Sequence, residues 1–217
     1  MAPHDHNDED HDHEHDHDKT FQPDEEESLG HYGIAEMAVR ELLLEKGVFT
    51  PDEFRSKLEQ LDTITPALGA KVIARAWSDP DFKKRLLENG SEAVKDFGVA
   101  MGSVELYVVE NTPQVHNVIV CTLCSCYPRP LLGPPPDWYK SRNYRARTVR
   151  EPRKVLEEFG TKISDDVEVR VHDSAADLRY LVLPMQPQGT ENYTREQLED
   201  LVNRDSMIGV TEINPIQ

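Results

Sequence analysis

The chain has 217 residues, 41 acidic and 24 basic side chains, and a formal net charge of −17. This acidic balance argues against a protein whose main partner is nucleic acid, because gripping phosphates needs a basic surface. No apolar run is long enough to span a membrane, and the amino terminus lacks the apolar core of a signal peptide. We therefore expect a cytoplasmic protein that does not bind membranes.

Residues 1–27 are predicted to form a disordered, acidic, His/Asp-rich tail. They carry twelve acids and one lysine, which gives −11, so the rest of the chain carries only −6. So polar a segment cannot bury enough apolar surface to offset the entropy lost on ordering. Its histidines could capture divalent ions or simply accompany a solubilising tail, and both roles stay open; they are His4, His6, His11, His13, His15 and His17.

Residues 28–98 are predicted to form a helical N-terminal segment. A first helix ends at Gly47, and one stripe along it contains Ile34, Met37, Ala38, Leu42 and Glu45. Large apolar side chains at helix positions are expected to pack against each other or against a partner, and these are Met37, Phe54, Trp77 and Phe82.

Capping sequences mark the later helices of this segment. The stretch TPDEF predicts a helix start, with Thr50 as the cap and Glu53 closing a capping box. A third helix is predicted to begin in the same way at Thr65–Pro66. Two shorter helices are predicted to end at Gly90 and Gly98.

Residues 99–217 are predicted to form an α+β domain. Short β-branched runs predict strands at 104–110, 115–120, 166–173, 178–184 and 207–213. The proline-rich stretch 127–139 is predicted to be a rigid loop, and helices are predicted at 144–160, broken near Pro152, and at 194–205. The predicted fold class is thus α+β, with the helical segment followed by a layered α-β-β-α domain that carries a metal loop.

All three cysteines lie in the sequence CTLCSC, residues 121–126. Three neighbouring thiols cannot form a closed disulfide framework, and a zinc ribbon needs a second, distant CxxC. A redox CxxC should open a helix, whereas this segment runs into prolines. A metal site built within one loop fits best.

The spacing also brings backbone donors into reach. Cys121 and Cys124 can converge as a CxxC knuckle, and Cys124 and Cys126 flank Ser125. If the amide nitrogens of Ser125 and Cys126 lose their protons, the loop offers three sulfurs and two nitrogens. Such a donor set favours Co(III) or Fe(III) and leaves one coordination position open for Lewis-acid chemistry.

The flanks of this loop are VVENTPQVHNVIV before it and YPRPLLGPPPDWYKSRNYRARTVREPRKVLEEFG after it. The loop and its flanks closely resemble the α subunit of nitrile hydratases. They are also similar to the related γ subunit of thiocyanate hydrolase. The resemblance runs from about Gly33 to Val210. It implies metal ligands at Cys121, Cys124, Ser125 and Cys126, the last through both sulfur and backbone nitrogen.

The resemblance further implies that Cys124 is oxidised to the sulfinate and Cys126 to the sulfenate. Thr122 and Tyr127 match the cobalt type, so non-corrin Co(III) is expected in preference to Fe(III). The implied enzyme is a hydro-lyase that turns a nitrile into its amide, active only with β-type subunits in a hetero-oligomer. A metallochaperone or activator protein is a further implied partner.

The residues assigned to catalysis are Cys126, Ser125 and Arg129. Most nitrile hydratases resembling this chain have tryptophan where Arg129 stands, and a guanidinium there would attract an anion such as thiocyanate. The alternative is therefore a thiocyanate hydrolase, which releases carbonyl sulfide and ammonia. The spacing in VELYVVENTPQVHN favours the nitrile enzyme. A third hypothesis is a non-enzymatic metal-binding protein.

Other polar residues are expected to be structural. His116 and His172 are interpreted as hydrogen-bonded core histidines, although His116 could also support the metal loop. Arg170 and Arg179 are expected to serve the structure or an interface, and Asp165, Asp166 and Asp173 look like turn acids. A basic run is expected to form salt bridges across a subunit interface, and it comprises Arg142, Arg145, Arg147, Arg150, Arg153 and Lys154.

Overall fold

The computed structural model describes residues 30–213, so the predicted tail lies outside the described residues. Within residues 30–213 there are four strands: β1 (Glu105–Glu110), β2 (Val115–Val120), β3 (Glu168–Asp173) and β4 (Leu178–Leu183). A 3-10 helix spans Val94–Phe97. The α-helices are α1 (His31–Glu45), α2 (Pro51–Asp62), α3 (Ala67–Ser78), α4 (Pro80–Glu88), α5 (Gly90–Ala93), α6 (Arg129–Leu132), α7 (Asp137–Lys140), α8 (Arg142–Arg150), α9 (Pro152–Glu158), α10 (Arg195–Leu201) and α11 (Arg204–Ile208).

The strands form two small parallel sheets. β1 pairs with β4, β2 pairs with β3, and β4 also packs against β2. Each pairing needs a long crossover, which helices supply. The last residues of β2 and β3, Val120 and Asp173, are paired in register, so the two strands end side by side. The predicted α+β class is confirmed, and the division of the chain at residue 98 stays a prediction.

Among residues 30–213, the main hydrophobic core joins α3, α4 and several later helices to both sheets. Phe82 of α4 is fully buried and Trp77 of α3 is partly buried, where its indole nitrogen donates to the Pro184 carbonyl at 2.9 Å. The first two helices differ, because α1 and α2 bury none of their residues, and Ile34 of α1 is 60% exposed. The predicted stripe on α1 therefore faces away from the described core. Within residues 30–213, no helix is long and apolar enough to cross a membrane.

Helix starts follow the predicted rules with two corrections. The capping box at Thr50 is confirmed, with Glu53 N donating to Thr50 Oγ1 at 3.2 Å. The predicted Thr65 cap is wrong, because the N-cap of α3 is Pro66, which makes no side-chain cap bond. Gly90 does not end α4 but begins α5, since the Asn89 side chain accepts a bond from Glu92 N and caps the new helix.

Two predictions in the second half are also wrong. The proline-rich stretch contains α6 and α7, because prolines at the start of a helical turn forfeit no hydrogen bond. The expected last strand at 207–213 is absent from the described structure. There the Asn203 side chain caps α11, which extends through Ile208 and ends at Gly209 with φ of 88°.

Candidate metal centre

The cysteine loop leaves the sheet at the end of β2 and is tied to the end of β3. The Thr122 backbone N–H donates to Asp173 Oδ1 at 2.9 Å, and the Thr122 hydroxyl donates to Asp173 Oδ2 at 2.5 Å. Sequence reasoning missed this role and classed Asp173 as a turn acid. A usable signal was its place at the end of a strand, since the carboxyl ends of neighbouring parallel strands meet at one edge.

The three sulfurs converge on one small volume. Cys124 Sγ lies 3.5 Å from Cys121 Sγ and 3.2 Å from Cys126 Sγ, and all three lie within 4.8 Å of one another. These distances are too long for a disulfide bond. Cys121 is buried, Cys126 is half-buried and Cys124 is exposed, so the cluster is open to solvent on one side.

The crowded sulfurs differ in acidity. Burial, followed by hydrogen bonds with Cys124 and Cys121, raises the pKa of Cys126 to about 12. The pKa of Cys124 is lowered, chiefly by its hydrogen bond with Cys126, against an opposing effect of burial. Because neighbouring thiolates repel one another, full ionisation of the cluster needs a cation among the sulfurs.

The donor set fits a thiophilic transition-metal ion. Thiolates are the ligands that such ions prefer, and three are present in one loop. The backbone N–H groups of Ser125 and Cys126 interact with the Cys124 sulfur and help to lower its pKa. Both backbone nitrogens thus lie beside the sulfur cluster, where deprotonation would make them donors.

The family model for the nitrile hydratase alpha chain matches residues 31–211. The chain belongs to the nitrile hydratase alpha-chain family. Its N-terminal helices, both sheets and the cysteine loop all lie within the match.

Individual relatives cover most of the chain. The low-molecular weight cobalt-containing nitrile hydratase subunit alpha of Rhodococcus rhodochrous is 53% identical over 176 residues, which cover 80% of this chain and 85% of that protein. The thiocyanate hydrolase subunit gamma of Thiobacillus thioparus is 44% identical over 201 residues, covering 87% and 83% respectively. A solved recombinant thiocyanate hydrolase with partially modified cobalt centres gives a TM-score of 0.79 at 44% identity, over 87% of this chain and 92% of that one.

Arg129, proposed from the sequence as a catalytic residue, is the first residue of α6 and is exposed. Its backbone N–H donates to the Tyr127 carbonyl at 2.8 Å. Within the described part of the chain its guanidinium makes no ion pair.

The Tyr127 hydroxyl is buried and finds no hydrogen-bond partner among residues 30–213, and burial raises the pKa of this phenol.

The two histidines predicted to be structural form hydrogen bonds that join β2 to β3 and to the end of α11. His116 is buried and its Nε2 donates to the Gly209 carbonyl at 2.7 Å. His172 Nε2 donates to Asn117 Oδ1 at 2.8 Å. His116 is thus confirmed as a hydrogen-bonded core histidine, whereas His172 is hydrogen-bonded but only half-buried.

Several side chains of the basic run form salt bridges within the chain. Arg147 pairs with Glu151 at 2.6 Å and with Glu158 at 2.5 Å, and Lys154 pairs with Glu151 at 3.1 Å. These pairs lie within α8, α9 and Glu151 between them, and salt bridges across a subunit interface stay a prediction. Arg145 differs, because its guanidinium reaches the metal loop and lies 3.5 Å from the Thr122 carbonyl.

Proposed function

We propose that this chain is the metal-carrying catalytic subunit of a nitrile hydratase, which adds water to a C≡N group to form the amide. The observation that carries the proposal is the convergence of three sulfurs within 4.8 Å in a loop with one open side. Membership of the nitrile hydratase alpha-chain family supports the reaction, and the cobalt-containing relative supports the metal.

Cobalt would be held by the sulfurs of Cys121, Cys124 and Cys126 and by the backbone nitrogens of Ser125 and Cys126. When bound, the ion supplies a Lewis acid that withdraws electron density from the nitrile carbon. The sulfenate form of Cys126 that the family resemblance implies would orient a water whose oxygen adds to that carbon, or would add its own oxygen, which a water would then replace. Ser125 links two ligands and fixes their spacing, and Arg129 lies three residues from Cys126 and orients the substrate.

A second, unlike subunit is part of the proposal. Relatives are named as subunits of larger enzymes, and this chain exposes apolar surface that an assembly would cover. Leu123 at the tip of the metal loop is 83% exposed, and α1 buries no side chain. A β-type partner would thus complete the pocket around the loop, and an activator protein would deliver the metal. The cytoplasmic location stays a prediction.

Thiocyanate hydrolysis is the second candidate function. Arg129 favours it, because an exposed guanidinium without an ion pair in the described chain is free to attract a small anion. The similarity to a thiocyanate hydrolase gamma subunit points the same way, at lower identity than the nitrile hydratase relative.

Substrate comparison tests the choice. The cobalt-loaded complex with its partner is offered a small nitrile and thiocyanate in parallel, and amide from the nitrile is expected. Carbonyl sulfide release without amide would contradict the nitrile hydratase assignment. Unmodified cysteines that hold readily exchanged zinc, with neither product, would support a non-enzymatic metal-binding protein.

A further inference from the structure

Two buried tyrosines hold the two ends of the metal loop. The Tyr139 hydroxyl donates to the Cys126 carbonyl at 2.8 Å, and the Tyr144 hydroxyl donates to the Ile119 carbonyl at 2.6 Å. Both side chains are fully buried. The Tyr144 bond is buried and the Tyr139 bond is partly buried, and loss of either hydroxyl would take a donor from a backbone carbonyl.

The surroundings of these two carbonyls differ. Ile119 lies inside β2, where its pairing with His172 of β3 holds the backbone. Cys126 lies outside every helix and strand. In the described part of the chain, the Tyr139 hydroxyl is the hydrogen-bond donor to the Cys126 carbonyl. The Tyr139 hydroxyl thus holds the carbonyl of the peptide that follows Cys126.

Tyr139 is well suited to fix that orientation. Its ring packs edge-on against Tyr127, with centroids 5.1 Å apart, and lies tilted against the Tyr144 ring, with centroids 5.6 Å apart. The backbone of α7 is restrained at both ends. Three successive prolines precede it, and Ser141 follows it, where the Ser141 hydroxyl accepts a hydrogen bond from Tyr144 N at 3.1 Å. A ring held in this way leaves the hydroxyl little freedom.

We propose that Tyr139 is a positioning residue for the metal centre. Cys126 carries a sulfur and a backbone nitrogen that the proposed function assigns as ligands, and its carbonyl is attached to the same Cα. The Tyr139 bond fixes the backbone at that carbon and so the direction of both donors. The proposal rests on the proposed metal function and adds a residue that touches neither metal nor substrate.

Tyr139→Phe and Tyr144→Phe form a matched pair, because each removes one buried hydroxyl from a backbone carbonyl. Full-length variants are produced with the partner subunit in cobalt medium. Both are expected to lose similar resistance to urea. Only Tyr139→Phe is expected to shift or weaken the sulfur-to-cobalt charge-transfer absorption and to lower kcat or cobalt retention by about 10-fold, with little change in KM.

A third variant separates the hydrogen bond from the packing. 4-Aminophenylalanine at position 139 keeps an N–H donor where the tyrosine has its hydroxyl, so it should restore the charge-transfer band. This variant also tests the proposal if Tyr139→Phe fails to fold. A restored fold with a weak band would overturn the proposal. So would a Tyr139→Phe complex with a wild-type band and kcat, or equal spectral changes in both Phe variants. A wild-type complex without any such band would overturn the proposed function itself.

Discussion

The Asp173 carboxylate at the end of β3 accepts two hydrogen bonds from Thr122, the residue that follows the first cysteine. This contact joins positions that lie 51 residues apart in the chain. It exists because β2 and β3 run parallel and finish at the same level, with Val120 opposite Asp173. The Asp173 carboxylate thus anchors the start of the metal loop to the sheet, and the proposed Tyr139 bond positions its last residue, Cys126.

Replacing Asp173 by Asn should loosen the start of the loop while the strand stays intact. The asparagine keeps one oxygen that can accept from Thr122, but it loses the negative charge that strengthens both hydrogen bonds of Asp173. Cobalt content or kcat is expected to fall by about 10-fold, as measured by metal analysis and nitrile turnover. Asp165→Asn serves as the control, because Asp165 is an exposed acid with no bond to the loop. Equal losses in both variants would refute the anchoring role.

Gly209→Ala should be strongly destabilising. A Cβ there would lie 2.0 Å from the Asn117 carbonyl oxygen, and φ is 88°. We expect a loss of about 3 kcal/mol or more in unfolding free energy. Gly189 has a φ of 83° with nothing within 4 Å of an added Cβ, so Gly189→Ala should cost only about 1–2 kcal/mol. Urea denaturation of both variants measures the difference, and equal costs would contradict the close approach.

Acid should destabilise the fold partly through the buried His116 and the half-buried His172. Burial lowers the pKa of His116 and of His172, and the Arg170 charge adds to the effect on His172. The stability they contribute is therefore complete above the unfolded histidine pKa of about 6.5 and is lost as pH falls through the lower folded pKa. His116→Gln should flatten the decline in urea midpoint between about pH 7 and pH 5. A slope in His116→Gln equal to that of wild type would contradict this contribution.

Arg129→Trp should shift preference away from anions. Loss of the guanidinium is expected to weaken thiocyanate binding by about 10-fold, and an apolar ring should lower KM for an organic nitrile. Stability should stay unchanged because Arg129 is exposed. Arg129→Lys keeps the charge and should retain most of the anion binding. Competition of thiocyanate with a nitrile measures both variants, and identical inhibition constants in all three proteins would contradict this role.

Local rules predicted much of the fold. The capping box at Thr50 needs only residues three positions apart, and the ligand loop lies within six residues. By contrast, the end of the chain was expected to be a strand because Val210 and Ile213 lie in a β-branched run. Asn203 overrides that preference by capping α11, and Gly209 turns the chain where it meets Asn117.

The parts of the site that could not be predicted depend on distant contacts. Asp173 and Tyr139 reach the loop from 51 and 13 residues away, and no periodic pattern marks them. The short helices α6 and α7 likewise arise where prolines occupy the starts of single turns.

The central claim is that the six-residue loop acts as one ligand set. X-ray absorption spectroscopy at the cobalt edge of the purified complex tests it most directly. Three sulfur donors and two nitrogen donors around each cobalt are the expected result. A cobalt ion surrounded by nitrogen and oxygen without sulfur, as binding to the histidine-rich tail would produce, would contradict the account.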